Sequence, residues 1–538
     1  MKEDQMEWWR GAVLYQVYPR SFMDGNGDGV GDIPGLISRL DHIAALGVDG
    51  IWLSPVFTSP MKDFGYDVAD YCDIDPLFGT LKDFDQLVAA CHARGLKLII
   101  DQVYSHTSDR HAWFAESRQS RDNPKADWYV WADPKPDGSP PNNWIAVFGG
   151  SAWTWDSRRR QYYLHNFLIE QPDLNLHNPE VQNAILGVAR FWLDRGVDGF
   201  RLDVANYYTH DRQLRDNPPS GLKSAAKPWA MQRHLYSVDQ PETLPFVERL
   251  RALTDEKPGR MMVAELGSDE PVKRMAEYTS GAHRFHTAYS FVFLTRAFDA
   301  AYVRERIEEL AREDASAWPA FAFSNHDFPR IASRWAKTVG GERPEPLWTK
   351  TLIALLTTLR GTAFLYQGEE LGLPEADVPF ERLQDPDGIA FWPGYKGRDG
   401  CRTPMPWTDE TPYAGFSSHE PWLPVDPRHL ALSVARENSD ANSTLAFARQ
   451  WLAFRQSIRT LKTGDMAFFD AKTEASDVLA FTRSDAEASY ALLFNLALEE
   501  TWATLPPGDW SEAFPLGGRI EAGRVHLPPA AAFIARRD

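Results

Sequence analysis

Short apolar segments alternate with amphipathic helical stretches along most of the 538-residue chain, and this alternation constrains its fold more than any other feature. An alternation of this kind predicts a parallel sheet whose strands are connected by helices. The predicted strands are Val13–Tyr18, Gly50–Leu53, Leu96–Asp101, Gly199–Asp203, Met261–Glu265, Ala288–Phe291, Phe321–Ser324 and Thr362–Tyr366. The predicted helices include Leu36–Leu46, Phe84–Arg94, Val181–Arg195 and Pro245–Lys257. Eight parallel strands close a (β/α)8 TIM barrel, so the predicted fold class is α/β.

Two gaps in the alternation are too long for simple loops, and the C-terminal part follows another pattern. Residues 105–176 separate the third and fourth strands and predict an inserted subdomain rather than a disordered loop. A second excursion, at about 370–425, follows the eighth strand. Beyond about residue 462, the period-two segments Asp477–Arg483, Tyr490–Leu496 and Thr501–Leu505 predict a C-terminal antiparallel β-domain. The barrel would therefore comprise residues 1–104 and 177–461, with the terminal domain at 462–538.

Composition narrows the class of partner. The net charge of −18 argues against a nucleic-acid or anionic-membrane surface, because either would need a basic face. The three cysteines, Cys72, Cys91 and Cys401, are too sparse for a disulfide framework. The first seven residues contain no apolar signal region, and no apolar run reaches about 18 residues. We therefore expect a cytoplasmic monomer or homodimer that binds a small molecule, with neither a nucleic acid nor a membrane as partner.

The end of the fourth predicted strand carries a basic and an acidic side chain on one face. Arg201 and Asp203 lie two residues apart, and residues i and i+2 of a strand project to the same side. The guanidinium of Arg201 would keep Asp203 ionised at neutral pH. An ionised, positioned carboxylate serves as nucleophile in covalent glycosidases. The alternative is a strand-end ion pair without chemistry.

Other predicted strands end in acidic residues as well. Asp101 ends the third strand, Glu265 ends the fifth, and Asp327 follows the seventh. Two histidines, His106 and His326, lie close to them in the sequence. Since the carboxyl ends of barrel strands meet at one rim, these groups could face one pocket. Glycoside hydrolysis needs such a set, with one ionised and one protonated carboxyl flanking the scissile bond.

The strand-end motifs resemble those of glycoside hydrolase family 13, the α-amylase superfamily. The four motifs are Asp101-Gln-Val-Tyr-Ser-His106, Gly199-Phe-Arg-Leu-Asp203, Glu265 and Ser324-Asn-His-Asp327. The resemblance implies that Asp203 is the nucleophile, that Glu265 is the general acid and base, and that Asp327 stabilises the transition state. It also implies that Arg201 orients Asp203 and that His106 and His326 donate hydrogen bonds to the sugar. In a retaining enzyme the two catalytic carboxyl groups lie about 5 to 5.5 Å apart, and we expect this separation between Asp203 and Glu265.

Further segments resemble the α-glucosidase and oligo-1,6-glucosidase branch of that family. They are Asp63-Phe-Gly-Tyr-Asp67, Phe148, Phe167 and Gly397-Arg-Asp-Gly-Cys-Arg402. The resemblance implies that Asp63 and Arg402 clamp the terminal hydroxyls of glucose, that Tyr66 stacks under the sugar, and that Phe148 and Phe167 belong to the binding site, with Phe167 at its entrance. For each aromatic residue, core packing is the alternative.

Val204 follows the predicted nucleophile and bears on linkage. Within the branch, Val at this position resembles enzymes that accept α-1,6 bonds. The segments Pro140–Ile145 and Gly368–Ala376 resemble bacterial α-glucosidases that act on short sugars. The two indications disagree, so we expect use of several disaccharides.

A glycine-rich acidic loop follows the first predicted strand. Alternate oxygen-bearing residues from Asp24 to Asp32 suit a hard cation such as Ca²⁺ or Mg²⁺. The EF-hand pattern fails, because its twelfth position would be Gly35 instead of Glu. The resemblance implies one structural cation, and the implied ligands are Asp24, Asn26, Asp28, the Val30 carbonyl and Asp32. The alternative is a glycine-rich turn with capping carboxylates.

The sequence therefore predicts a retaining exo-acting α-glucosidase for short α-glucosides, without an organic cofactor and with transglucosylation as a side activity. The alternatives are an oligo-1,6-glucosidase, or a glucosyl transferase of the sucrose-isomerase or trehalose-forming type. A non-catalytic binding protein fits less well, because all three implied catalytic carboxylates are present.

Overall fold

Eight parallel strands form the central sheet of the computed structural model, which describes residues 7–294, 299–335, 346–410, 412–473 and 477–537. In chain order the strands are β1 (Val13–Val17), β2 (Gly50–Leu53), β3 (Lys97–Gln102), β4 (Gly199–Leu202), β5 (Met261–Leu266), β6 (Thr287–Ser290), β7 (Ala320–Ala322) and β8 (Thr362–Tyr366). They pair in the order β6-β5-β4-β3-β2-β1-β8-β7, and a parallel bridge between Ala288 and Pro319 brings the two ends of the sheet together. The predicted barrel class is confirmed.

Alternate residues of the barrel strands belong to two different apolar clusters. Val13 and Tyr15 pack in one cluster with helical residues such as Phe84. Leu14 and Ile99 pack in another cluster, with the corresponding residues of the other strands. Because the first cluster contains the helices, the second fills the interior of the barrel. Residues that continue this interior series to the strand ends therefore point into the mouth of the barrel.

Helices surround the barrel and connect its strands. They span Ile33–Ser38, Leu40–Leu46, Leu81–Ala93, Ala112–Ser117, Pro179–Asp194, Thr243–Thr254, Pro271–Thr279, Ala300–Glu313, Ile331–Arg334, Pro346–Thr358, Pro386–Phe391, Val434–Ser439, Thr444–Gln456 and Arg459–Thr463. The single helix predicted over Leu36–Leu46 is wrong. Asp32 caps an earlier start, and the non-helical Arg39 separates two short helices. Across the described part of the chain, no helix has the length and apolarity needed to cross a membrane.

Three segments extend from the carboxyl ends of the strands. The segment at 105–176 holds a small antiparallel sheet of Trp131–Ala132, Gln161–Leu164 and Trp153–Asp156. The excursion after β8 includes the helix Pro386–Phe391. The loop at 205–242, which follows β4, was not singled out from the sequence. It packs on the first segment, where Trp144 Nε1 donates to the carbonyl of Arg215 at 2.9 Å.

The remaining strands are antiparallel. Phe57–Thr58 pairs with Asp70–Ile74 after β2. A C-terminal five-stranded sheet has the order Asp465–Phe468, Val478–Ser484, Ser489–Asn495, Ala532–Arg537 and Ser511–Phe514. A three-stranded sheet has the order Thr501–Ala503, Arg524–Leu527 and Arg519–Glu521. The exact division of the chain into domains stays a prediction.

A buried carboxyl group directly after β8 gives a test of stability against pH. Glu369 accepts a hydrogen bond from the Tyr366 amide at 2.7 Å, and burial raises its pKa to about 7. A group whose pKa is higher in the folded state contributes stability at low pH and loses it as the pH rises through that value. Between pH 5.5 and 8.5 we therefore expect Glu369→Gln to abolish a decline in the free energy of unfolding of about 2 kcal/mol.

Urea unfolding of wild type and Glu369→Gln at both pH values measures this difference. Glu487→Gln, at an exposed turn, is the matched control. An equal pH dependence in all three proteins would contradict the prediction.

Candidate active site

A cavity of about 460 Å³ lies at the carboxyl ends of the barrel strands. Its volume lies in the range of sites that enclose small molecules. The sequence-predicted residues that line it are Asp63, Tyr66, His106, Phe148, Phe167, Asp203, Val204, Glu265 and Asp327. Arg201, His326 and Arg402 are buried and contact carboxyl groups of the site from behind. The structure thus brings together the residues predicted for catalysis and for substrate binding.

Arg201 connects the carboxyl groups at the ends of β3, β4 and β5. Its Nη1 lies 2.8 Å from Asp101 Oδ1 and 2.6 Å from Asp203 Oδ1, and its Nη2 lies 2.5 Å from Glu265 Oε1. The guanidinium also lies over the ring of Trp52, at 4.9 Å from the centroid. Because Arg201 is fully buried, these ion pairs are shielded from solvent and hold the carboxyl groups in fixed positions.

Glu265 has two further contacts that orient its carboxyl group. The hydroxyl of Tyr289 donates to Oε1 at 2.8 Å, and the Val204 amide donates to Oε2 at 3.3 Å. Val204 adopts the left-handed conformation, with φ at 34°. This conformation is strained for a β-branched residue, and such strain concentrates at functional sites. The strained turn directs the amide of Val204 toward the carboxyl group of Glu265.

Asp101 and Asp203 share the single positive charge of Arg201 with Glu265, and both aspartates are buried. Burial raises the pKa of Asp203 well above its usual range, and Glu265 and Asp101 add to the rise, whereas Arg201 opposes it. Burial likewise raises the pKa of Asp101 to about 6, against the effect of Arg201. The expectation that Arg201 alone keeps Asp203 ionised is therefore incomplete.

A second hydrogen-bonded chain supports the opposite wall. Gln16 Nε2 lies 2.8 Å from Nδ1 of His326, so this nitrogen accepts, and Nε2 of the same ring lies 2.5 Å from the Tyr66 hydroxyl. Tyr66 in turn donates to Asp101 Oδ2 at 3.1 Å. Burial lowers the pKa of His326 to about 3, so the ring is neutral. The rings of Tyr66 and His326 stack at 5.3 Å.

Asp327 lies among positive groups, unlike the carboxyl groups around Arg201. Arg402 Nη2 lies 2.9 Å and Arg398 Nη1 lies 3.3 Å from its Oδ1. Although burial opposes it, the guanidiniums of Arg398 and Arg402 lower the pKa of Asp327 below its ordinary value. Asp327 is therefore an anion at neutral pH.

The expected clamp of Asp63 with Arg402 requires a correction. Asp63 Oδ1 lies 2.8 Å from Nη2 of Arg398, which lines the cavity and also lies 2.7 Å from Asp385. Arg402 instead donates to Asp327 and to the carbonyl of His326. The Gly397–Arg402 motif contains both arginines four residues apart, so the motif alone does not show which of them faces the cavity.

The loop at 24–32 offers oxygen atoms of the type that hard cations prefer. Asp24 accepts from the amides of Asn26, Gly27 and Gly29, while Asp28 accepts from the Val30 amide. Asp32 is buried and caps the helix that starts at Ile33. Within the described residues, no three acidic, His or Cys side chains are grouped closely enough to hold a metal. A cation here would therefore rely on Asn26 and the Val30 carbonyl as well as on the carboxylates.

Sequence reasoning missed the part of the cavity wall that comes from the loops after β4 and β8. Lys227 and Trp229 come from the first loop, and Asp387, Tyr395 and Arg398 come from the second. Arg398 could have been found from the sequence, because it lies inside the Gly397–Arg402 motif. The other four could not, because isolated charged and aromatic residues are common in loops.

The chain is similar to known proteins over nearly its whole length. A profile described as "Alpha amylase, catalytic domain" matches residues 16–464. A "Probable alpha-glucosidase" of Rhizobium meliloti is 51% identical over 99% of this chain and 98% of its own length. An "Oligo-1,6-glucosidase" of Heyndrickxia coagulans is 36% identical over 94% and 95%, respectively. The crystal structure of XgtA, described as an "alpha-glucosyl transfer enzyme", is 52% identical, covers 99% of both chains and superposes with a TM-score of 0.95.

Proposed function

Since the chain belongs to the alpha-amylase family, we propose that it is a retaining exo-acting α-glucosidase that releases glucose from the non-reducing end of short α-glucosides. The observation that carries the proposal is the pair of carboxyl groups, Asp203 and Glu265, that face one cavity and share the Arg201 guanidinium. The same arrangement serves a transglucosylation in which an alcohol replaces water as acceptor.

In the proposed reaction, Asp203 attacks the anomeric carbon while Glu265 gives its proton to the departing oxygen. The glycosidic bond breaks as a β-glucosyl ester forms on Asp203. Glu265, now ionised, takes a proton from water, and the resulting hydroxide displaces Asp203 from the anomeric carbon. Two inversions give glucose with the original α-configuration. The proposed mechanism requires the proton on Glu265 and an ionised Asp203 in the reactive state, and Asp327 stabilises the positive charge that develops on the sugar ring.

A product assay over α-linked disaccharides tests this function. We expect maltose, sucrose and isomaltose to yield glucose, and proton NMR to show the α-anomer as the first product. A first product with the β-configuration would reject the retaining mechanism. A rearranged disaccharide in place of free glucose would favour the glucosyl transferase of the isomerase type.

The linkage preference belongs to the same proposal. Val204 lines the cavity directly after Asp203, and one relative is described as an "Oligo-1,6-glucosidase". The relative with greater identity is described as a "Probable alpha-glucosidase". We therefore propose use of both α-1,4 and α-1,6 disaccharides, and strict activity on one linkage would reject it.

The corrected clamp makes a quantitative prediction. A lysine cannot reproduce the forked contacts of Arg398 with Asp63 and Asp385. We expect Arg398→Lys to lower kcat/KM for maltose by about 100-fold, mainly through a higher KM.

A double-mutant cycle separates the two arginines. The effects of Asp63→Asn and Arg398→Lys on kcat/KM should be non-additive by at least about 1 kcal/mol, because these side chains are in contact. The cycle of Asp63→Asn with Arg402→Lys should be closer to additive. The reverse result would restore Arg402 as the clamp.

We also propose that the loop at 24–32 binds one structural Ca²⁺ or Mg²⁺ through Asp24, Asn26, Asp28, the Val30 carbonyl and Asp32. Addition of Ca²⁺ to chelator-treated protein should raise the Tm by several degrees, since a ligand that binds only the folded state stabilises it. The rise should be absent in Asn26→Ala, which removes an exposed oxygen-bearing side chain from the loop. An equal rise in both proteins would place the cation elsewhere.

The cytoplasmic location and the monomeric or homodimeric state stay predictions from the sequence. Sedimentation of the purified protein would decide the second.

A further inference from the structure

Two of the loops that form the cavity come from opposite sides of the barrel. The loop at 205–242 follows β4, and the excursion at about 370–425 follows β8. Because the strands follow one another around the barrel in chain order, β4 and β8 lie four places apart among eight. A contact between the two loops therefore crosses the mouth of the barrel.

One ion pair makes such a contact. Lys227 Nζ lies 2.6 Å from Asp387 Oδ2, with 24% of the lysine side chain and 2% of the aspartate side chain exposed. The ammonium group also lies 5.6 Å from the ring centroid of Phe148 and 5.3 Å from that of Tyr395. All four side chains line the cavity. The pair is therefore part of the cavity wall and not a remote surface contact.

Lys227 and Asp387 belong to two segments, and each segment has further contacts on its own side of the barrel mouth. The loop after β4 is fixed to the inserted segment, where Gln232 Nε2 donates to the carbonyl of Asn143 at 2.7 Å. Asp387 lies two residues from Asp385, which holds the guanidinium of Arg398. The ion pair thus connects the loop after β4 to the segment that carries the proposed glucose clamp.

We propose that the Lys227–Asp387 ion pair closes the cavity across the mouth of the barrel and selects for short substrates. The inference rests on the proposed α-glucosidase activity. A disaccharide fits within the closed cavity, whereas a longer chain must pass the wall that the lysine stem and the carboxylate form. Loss of the pair removes this wall, so kcat/KM for longer oligosaccharides rises relative to kcat/KM for disaccharides.

The test is the ratio of kcat/KM for maltotetraose to kcat/KM for maltose. In Lys227→Ala and in Asp387→Asn we expect this ratio to rise about fivefold. A fivefold change corresponds to about 1 kcal/mol, the upper end of the range for one partly exposed ion pair. The matched control is Lys396→Ala, because Lys396 pairs with Asp377 at 2.6 Å in the same excursion but is largely exposed. A ratio that stays at the wild-type value in both variants, or that rises equally in Lys396→Ala, overturns the proposal.

A second measurement separates failure of this proposal from failure of the proposed function. Hydrogen exchange of residues 218–232 and 386–397 should accelerate in Lys227→Ala and stay at the wild-type rate in Lys396→Ala. If the wild-type protein cleaves no α-glucoside, the proposed function is wrong, and unchanged exchange in Lys227→Ala then rejects closure by the ion pair as well.

Discussion

Replacement of Asp203 with asparagine should lower kcat/KM for α-linked disaccharides by roughly 10⁴-fold or more, because the attacking carboxylate is lost. Asparagine retains the shape of the side chain, and its oxygen can still accept from Arg201 Nη1, which lies 2.6 Å from Asp203 Oδ1. The loss would therefore reflect chemistry rather than a collapsed site. Steady-state hydrolysis of maltose measures the loss of activity, and a thermal melt shows whether the variant is still folded.

Azide distinguishes a nucleophile from a residue that merely supports the site. In Asp203→Ala, azide can attack an activated α-glucoside from the vacated face and form a β-glucosyl azide. The matched variant Asp327→Ala removes a carboxylate from the same cavity but leaves the nucleophile in place. Formation of β-glucosyl azide by both variants or by neither, or retention of substantial maltase activity in Asp203→Asn, would overturn the assignment.

Replacement of Glu265 with glutamine should have an effect that depends on the leaving group. For maltose, whose leaving sugar needs a proton, we expect kcat/KM to fall by roughly 10³-fold to 10⁴-fold. For α-glucosyl fluoride, whose leaving group departs without a full proton transfer, the first step should be far less affected. Comparison of the two substrates measures proton donation separately from binding.

The control for this second substitution comes from the same strand end. Asp269 also lines the cavity, but its carboxylate already accepts from the His234 amide at 2.8 Å. We expect Asp269→Asn to change the rates of the two substrates by similar factors. If Glu265→Gln lost equal activity on maltose and on the fluoride, Glu265 would not be the general acid.

The barrel and the convergence of its acidic strand ends were predictable from the sequence because both follow from local periodicity. Asp101 and Glu265 continue the inward-facing series of Ile99 and Val263, so that strand register alone directs them into the mouth. Every predicted barrel strand lies within two residues of the observed one at either end.

Features that depend on tertiary contacts were not predictable in this way. Arg398 and Arg402 share one short motif, and only the packing of the excursion after β8 decides which guanidinium meets Asp63. The protonation of Asp203 depends on burial and on two other carboxyl groups that are distant in the chain. The contact of Lys227 with Asp387 joins residues 160 positions apart, which no local pattern indicates.

The crowding of three carboxyl groups around Arg201 has a consequence for the evolution of this barrel. The native fold must bury like charges that one guanidinium only partly neutralises, so the reactive site is held at the expense of folding free energy. Amide substitutions that abolish turnover would relieve this repulsion and yield a more heat-resistant protein. Heat resistance and turnover are therefore opposed at this site, and adaptation to higher temperature must rely on changes elsewhere in the molecule.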